Sequence, residues 1–369
     1  HLTNFGLFAS PDRRLMFDLN DFDETHPGPF EWDVKRLAAS VEVAARANGY
    51  KSKKRRAAVL STVEAYRLHM RRLAKARNLQ VWYERVEYEQ MLSVARAELP
   101  PAAWQRLVAG AAKATTRDSI QVMGKLTEPG PEGARFVSAP PLLLPLRDMG
   151  PAVEGIDVLA WLRRLVRSYR ASLQPDRRTL LEQFRVVDAA RKVVGVGSVG
   201  TRAWVLLLLG RDDADPLFLQ AKEAQQSVLA PYVAAAAKHR NEGERVVAGQ
   251  HLMQAASDIF LGSLRATGID GVQRDFYVRQ LRDWKLSATP SLMEPETMLA
   301  YGRMCGHVLA RAHARSGDRV AIAAYLGSGD AFDHAVADFA AAYADITQAD
   351  HAALEAAAAS GAVEAVRGL

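Results

Sequence analysis

Five carboxylate or amide side chains crowd the segment FDLNDFDET: Asp18, Asn20, Asp21, Asp23 and Glu24. They follow an apolar run, Arg14 to Leu19, whose residue types predict a strand. Carboxylates this close repel one another unless something cationic sits among them. A divalent ion such as Mg²⁺ is the economical remedy, because it takes oxygen ligands and keeps waters and phosphate oxygens beside them. Extended backbone turns alternate side chains to one face, so Asp21 and Asp23 would present together. Asn4 offers a neutral oxygen that can return to the same ion, and His1 stands just before it. Asp18 is the competing ligand. A solvated acidic turn with an Asx cap is the plainer alternative. The glycine and terminal Glu of an EF-hand loop are missing at the required offsets.

A second set of residues lies near the middle of the chain. Gly195, Gly197 and Gly200 form G-x-G-x-x-G, with Ser198 inside the loop. The motif alone says little, since glycines are common in tight turns. The residues after the third glycine separate the readings. A dinucleotide fingerprint needs a helix to begin there, whereas here Thr201 and Arg202 lead into AWVLLLL, an apolar strand. No G-K-[ST] comes next, which excludes a P-loop. Strand, glycine loop and strand make the lid of a kinase, with backbone amides over the phosphates. An ordinary glycine-rich hairpin is the alternative. Lys222, near the end of the next strand candidate PLFLQAKEA, supplies the compact cation that such a lid requires for the α and β phosphates. Its acidic partner is expected on the next helix, at Glu242 or Glu244, with Glu223 as a weaker local choice.

The elements that must position these groups change texture along the chain. Val34 to Ala114 repeats apolar residues at three- and four-residue spacings and reads as helical. Glu128 to Pro151 is rich in Pro and Gly and breaks that pattern. Helical stretches over Ile156–Leu173 and Arg178–Phe184 come after it. From Arg185 the sequence turns β-like through Ala221, a helix is expected over Pro231–Ala256, and DFYVRQL alternates as a strand. From Pro295 onward the chain is helical, with a break at Leu326–Asp330. An α+β protein results. The expected organisation is a helical lobe over 1–184 carrying the acidic segment, a β-rich nucleotide lobe over 185–290, and helices over 291–369 returning to the first lobe.

Composition sets outer bounds. The 369 residues are 49% apolar and 24% charged, with a net charge of +6, ordinary for a globular chain of this length. Cys305 stands alone, which excludes an internal disulfide framework and fits a reducing cytoplasm. No apolar run reaches membrane length. The basic cluster from Lys51 to Arg56 reads as a solvated helix start. The six tryptophans are scattered rather than gathered into a stacking platform, so nucleic acid is not the expected partner. The chain opens without an initiator Met and inside what reads as a motif, as a piece of a longer protein would.

HLTNFG, FDLNDFDET and GPFEWDVKRLAAS, with GVGSVGTRAW, FLQAKEA, GQHLMQAASDIFLG and DFYVRQL later in the chain, resemble an uncharacterised bacterial family, the domain of unknown function numbered 2252. That resemblance covers most of the chain. It implies a protein-kinase-like fold near the aminoglycoside phosphotransferases, which carry H-G-D-x-H-x-x-N, then a strand ending in a metal-binding Asp, then a later Asp. His1 and Asn4 match the H-x-x-N end, Asp21 the metal Asp, and Asp33 the later one, which would brace the catalytic loop. Asn4 and Asp21 would then hold Mg²⁺, with Asp23 assisting. The base, an Asp two residues before the motif's second His, would fall just upstream of His1. The order of the two halves is reversed relative to those enzymes, which implies a circular permutation. The function expected is therefore an ATP- and Mg²⁺-binding phosphotransferase acting on a hydroxyl acceptor. A nucleotide-binding pseudokinase and an acidic-site metal hydrolase are the alternatives.

Overall fold

The apolar run that ends at Leu19 is a strand, and the elements around it arise from the same periodicities. A computed structural model describes residues 1–116, 119–130, 133–150, 157–193, 200–233, 239–281 and 284–365, the side chains of residues 94 and 95 excepted. The neighbouring strands β1 (Phe5–Ala9) and β2 (Leu15–Leu19) come first, then α1 (Phe30–Ala47), α2 (Ser52–Ala74) and α3 (Asn78–Tyr83). The two-residue β3 (Val86–Glu87), α4 (Tyr88–Glu98), α5 (Pro101–Thr115) and α6 (Ser119–Leu126) succeed them. Next are β4 (Thr127–Gly130), β5 (Gly133–Phe136), β6 (Leu143–Pro145), α7 (Val158–Arg170) and α8 (Pro175–Leu181). Strands β7 (Arg185–Lys192), β8 (Ala203–Leu209) and β9 (Pro216–Ala224) precede α9 (Glu242–Met253), β10 (Gly262–Thr267) and β11 (Gln273–Gln280). After β12 (Leu286–Ser287) the chain closes with α10 (Pro295–Ser316), α11 (Arg319–Leu326) and α12 (Ala331–Ala359).

The protein is thus α+β, with antiparallel strand pairing. Three local expectations change. The Pro/Gly-rich stretch after Glu128 carries the short strands β4, β5 and β6 rather than only loop. The helix expected from Pro231 begins at Glu242, because the Asn241 side chain accepts the Glu244 amide and fixes the start there. A further break separates α10 from α11, where Asp318 accepts the amides of Val320 and Ala321.

Two units make up the chain: residues 1–6, 29–106 and 287–369 form one, and residues 7–28 and 107–286 form the other. This grouping differs from a division at 184 and 290, since residues 107–184 fold with the β-rich segment. In the first unit, α2 packs along α10. Gly302 and Gly306, one turn apart on α10, let the two backbones approach: a Cβ on Gly306 would strike the Thr62 carbonyl and crowd the Tyr66 amide. The α10 helix is buried around most of its girth, from Met298 and Tyr301 to Leu309 and His313. Arg67 of α2 and Asp333 of α12 form a buried ion pair, their side chains 5% and 3% exposed, with Nη2–Oδ2 at 2.7 Å and Nε at 3.0 Å from both carboxylate oxygens.

In the second unit, six strands lie in the order β10-β11-β9-β8-β7-β6. The period-2 alternation of strands gives this sheet two distinct faces. Leu217, Leu219 and Ala221 of β9, with Phe276 and Val278 of β11, join Leu162 and Tyr169 of α7 and Leu181 of α8 in one apolar cluster. Val205, Leu207 and Phe218 face the other way and pack with Val122 of α6 and Phe136 of β5. Beyond Phe218 that second face turns polar.

Replacing Gly306 with Ala is expected to lower stability by about 1–3 kcal/mol through overpacking against the α2 backbone. Urea unfolding measures it, and an unchanged midpoint would contradict the tight α2–α10 crossing.

Candidate functional site

The polar end of the second sheet face is built by register. Lys222 on β9 stands opposite Tyr277 on β11, and Gln220 stands opposite Arg279. Two strands in antiparallel register therefore project four polar side chains toward one side, while the residues between them enter the apolar core. Lys222 also lies above the Tyr277 ring, 5.5 Å from its centroid.

The acidic segment meets this face. Lys222 Nζ donates to Asp23 Oδ2 at 2.5 Å, and the Tyr277 hydroxyl donates to Asp23 Oδ1 at 2.5 Å. Burial pushes the Tyr277 phenol well above its ordinary range; Arg279 opposes this and the Asp23 carboxylate reinforces it. Tyr277 is therefore a proton donor to Asp23 at any working pH. The Asp23 side chain is 31% exposed and that of Lys222 13%, so the pair is shielded yet reachable.

Asp23 does not stand on a strand. The β2 strand ends at Leu19, and residues 20–25 form a loop with a turn in which the Thr25 amide donates to the Phe22 carbonyl at 3.0 Å. The strand alternation expected to align Asp21 with Asp23 is absent, because the backbone has already left the extended form. Asp21 is exposed and accepts the Asp23 amide at 3.5 Å, a long contact. Asp18, the competing ligand, is 1% exposed and spends its oxygens on the amides of Leu19 and Ala255, at 2.8 and 2.9 Å.

Side chains that sequence reading passed over hold this loop in place. Arg245 of α9, 7% exposed, donates to the carbonyls of Asp23 at 2.9 Å, Thr25 at 2.5 Å and Gln225 at 2.7 Å. Arg279 Nη1 reaches the Asn20 carbonyl at 3.3 Å, and Gln254 Nε2 reaches the Leu19 carbonyl at 2.5 Å. The only sequence sign of Arg245 was an arginine three residues after Glu242 on a helix. Tyr277 and Arg279 stood in the DFYVRQL strand, where alternation alone would have put them on one face.

The partner expected for Lys222 is different from the one found. Glu242 pairs with Arg245 at 2.5 Å, Glu244 pairs with Arg240 at 3.3 Å, and Glu223 lies 3.6 Å from Arg202. These carboxylates are engaged by nearer arginines, and the loop Asp23 takes the ammonium. Of the glycine loop, Gly195, Gly197 and Ser198 lie outside the described residues. Gly200 is described, with φ at 85°, a left-handed value that favours glycine, just before β8. The strands that flank the motif in sequence are antiparallel, with Arg191 of β7 opposite Trp204 of β8.

The remaining candidates belong to the other unit. His1 Nδ1 lies 2.8 Å from the Thr3 hydroxyl, and the Asn4 amide donates to the His1 carbonyl at 2.9 Å. Asp33, in the first turn of α1, bonds His313 Nε2 at 3.1 Å, and His313 Nδ1 meets the Tyr66 hydroxyl at 2.8 Å.

Beside Lys222 the second unit contains a cavity of about 440 Å³, within the usual range for small-molecule sites. Its described lining includes Arg13, Lys192, Lys222, Arg279 and Lys285 against a single carboxylate, Asp258. Asn20 also lines it, and its Nδ2 is buried with no hydrogen-bond partner. A polar cavity with basic excess and an unsatisfied amide is suited to an anionic ligand.

A bacterial family described as "Uncharacterized protein conserved in bacteria (DUF2252)" matches residues 1–357. The chain belongs to this family. No curated protein and no solved structure matches it.

Arg245→Met is expected to destabilise the second unit by about 3 kcal/mol, since three partly buried carbonyls lose their donor at once. Tyr277→Phe removes one bond to a partly exposed carboxylate and should cost only about 1 kcal/mol. Chemical denaturation of both variants tests the ranking; the reverse order would show that the guanidinium does not anchor the loop.

Proposed function

We propose that the protein is a kinase-like nucleotide-binding protein of permuted order that takes ATP with Mg²⁺ and transfers a phosphoryl group to a hydroxyl acceptor. The observation that carries this reading is the pairing of Asp23 with Lys222, a lysine that lines the basic cavity. A lysine on the strand after a glycine-loop hairpin and an aspartate from an acidic loop are the two charges that phosphoryl transfer requires side by side. The order strand, glycine connection, strand, lysine strand, helix and two further strands supports the same fold class. It rests on analogy as to fold and on the site as to chemistry.

The residues present fit such a ligand. Lys222 and Asp23 neutralise each other in this pair, and a bound ligand would exchange it for two others: the ammonium with phosphate oxygens, the carboxylate with a magnesium ion. The buried, partnerless Asn20 amide supplies a further polar contact on the cavity wall. Arg279, Lys192 and Lys285 add positive potential that draws an anion in. Asp21, exposed and two residues from Asp23, would be the second oxygen ligand. Bound magnesium ATP would supply the transferable phosphoryl group and the metal charge. The chain's own contribution is position: Arg245, Tyr277, Arg279 and Gln254 hold the carboxylate loop against the lysine strand, which is the form catalysis by charge stabilisation takes. The family resemblance implies a metal-ligand role for Asn4 and a brace for the catalytic loop at Asp33, both in the other unit.

Thermal unfolding with and without ATP and Mg²⁺ tests the reading. At nucleotide near a hundred times its Kd, stabilisation of about 2.7 kcal/mol is expected. Lys222→Ala should abolish it, and Asp23→Asn should remove its magnesium dependence. Stabilisation that survives Lys222→Ala, or none with the unaltered chain, overturns the reading; a metal hydrolase would not depend on Lys222.

A further inference from the structure

Away from the acidic loop, three metal-binding side chains converge in the helical unit. They are His69 of α2, Glu84 at the C-terminal cap of α3, and His307 of α10; one ligand atom from each lies within 4.8 Å of the others. Among the described residues this is the one place where three such groups meet so closely. His69 Nε2 is 2.7 Å from Glu84 Oε1, and His307 Nε2 is 3.7 Å from the same oxygen. The two imidazoles stack with centroids 3.3 Å apart and planes inclined by 26°.

We infer that this cluster is a binding site for a divalent first-row transition ion of the zinc class. Two imidazole nitrogens and one carboxylate oxygen are the donor set of such ions, and a site with three protein ligands keeps a further position for water. Magnesium and calcium, which prefer oxygen alone, are disfavoured by the same donors. Metal–donor bonds of about 2.0–2.2 Å in a tetrahedron put donors roughly 3.3–3.6 Å apart. The 2.7 Å and 3.7 Å separations from Glu84 Oε1 bracket that span, and the two stacked rings must turn out of face-to-face contact to aim both nitrogens at one ion. Burial is graded across the cluster. The His69 side chain is 2% exposed, that of Glu84 18% and that of His307 43%, so the ion has a rigid floor and an open entrance.

Arg72 competes with such an ion. Its Nη2 sits 2.6 Å from Glu84 Oε1, and it supplies the positive charge that the carboxylate otherwise lacks. The Arg72 side chain is 59% exposed, however, and can swing into solvent when a metal takes its place. An ion there would tie the end of α3 to the α2–α10 pair. A purely ionic Arg72–Glu84–His69 network is the competing account, and it makes the opposite demand on Arg72.

Isothermal titration of the chelator-treated full chain with zinc chloride, and the visible spectrum after cobalt(II) addition, test the site. The expected result is uptake of one ion with the intense d–d absorption of a four- or five-coordinate cobalt centre. His307→Ala, which removes the more exposed ligand and its stacking on His69, should weaken uptake by more than about tenfold, while Arg72→Ala should bind at least as tightly. Circular dichroism on both variants controls for folding. No cobalt band, uptake undiminished in His307→Ala, or Arg72→Ala weakening uptake as much as His307→Ala would each overturn the assignment. Because the loop carboxylates Asp21 and Asp23 can also take up metal, the His307 variant is what assigns the ion to this cluster.

Discussion

A single carboxylate, that of Asp23, fixes the geometry of the sheet's polar end. It accepts an ammonium proton from Lys222 and a phenol proton from Tyr277, which stand opposite each other on neighbouring strands. The repulsion built into the acidic segment is thereby answered from within the chain. Position is set by strand register: a one-residue slip of β9 would send Lys222 into the apolar layer and bring Ala221 to the carboxylate. Arg245 completes the arrangement from outside the sheet, since one guanidinium holds carbonyls of the loop and of the segment after β9 together. Loop, sheet and helix α9 are therefore a single mechanical unit around one charge pair.

The identity of several parts and the class of the fold were readable from the sequence. The apolar strand after Gly200, the lysine at the end of β9 and the alternation in DFYVRQL are local signals, and local signals survive without knowledge of the partner. The wiring was less legible. Which carboxylate meets Lys222 depends on how a loop 199 residues away in sequence returns to the sheet. Nothing local distinguishes Asp23 from Glu242 in that contest, and Glu242 lost because Arg245, three residues along its own helix, lay nearer. The alternation proposed for Asp21 and Asp23 failed for a related reason. The backbone leaves the extended form once the apolar residues of β2 are exhausted at Leu19, and the loop shape is then set by donors from α9 and β11.

The helical unit shows a different limit. Its apolar periodicity was plain over Val34 to Ala114, yet the features that make it specific were silent. Gly302 and Gly306 read as weaknesses in a helix by propensity alone, and in the fold they are what lets α10 lie against α2. Nothing local in the sequence sets Arg67 and Asp333 apart, and they form a nearly sealed ion pair. His69 and His307 carried no motif, because the residues of that cluster come from three helices with no fixed spacing in the chain.

That ion pair has a consequence for the timing of synthesis. Arg67 and Asp333 are 266 residues apart in the chain. At about 5–20 residues per second, a ribosome takes on the order of ten seconds to a minute to deliver the second after the first. For most of that interval the apolar faces of α1 and α2 have neither α10 nor α12 to cover them. Residues 107–286, by contrast, emerge as a nearly complete unit before the last helices exist. Helices α1 and α2 are thus settled well after they are made, and the nascent chain carries an unpaired buried-type arginine while it waits. In a cell, that is the stage at which a chaperone has most to hold and a misfolding step has most to gain.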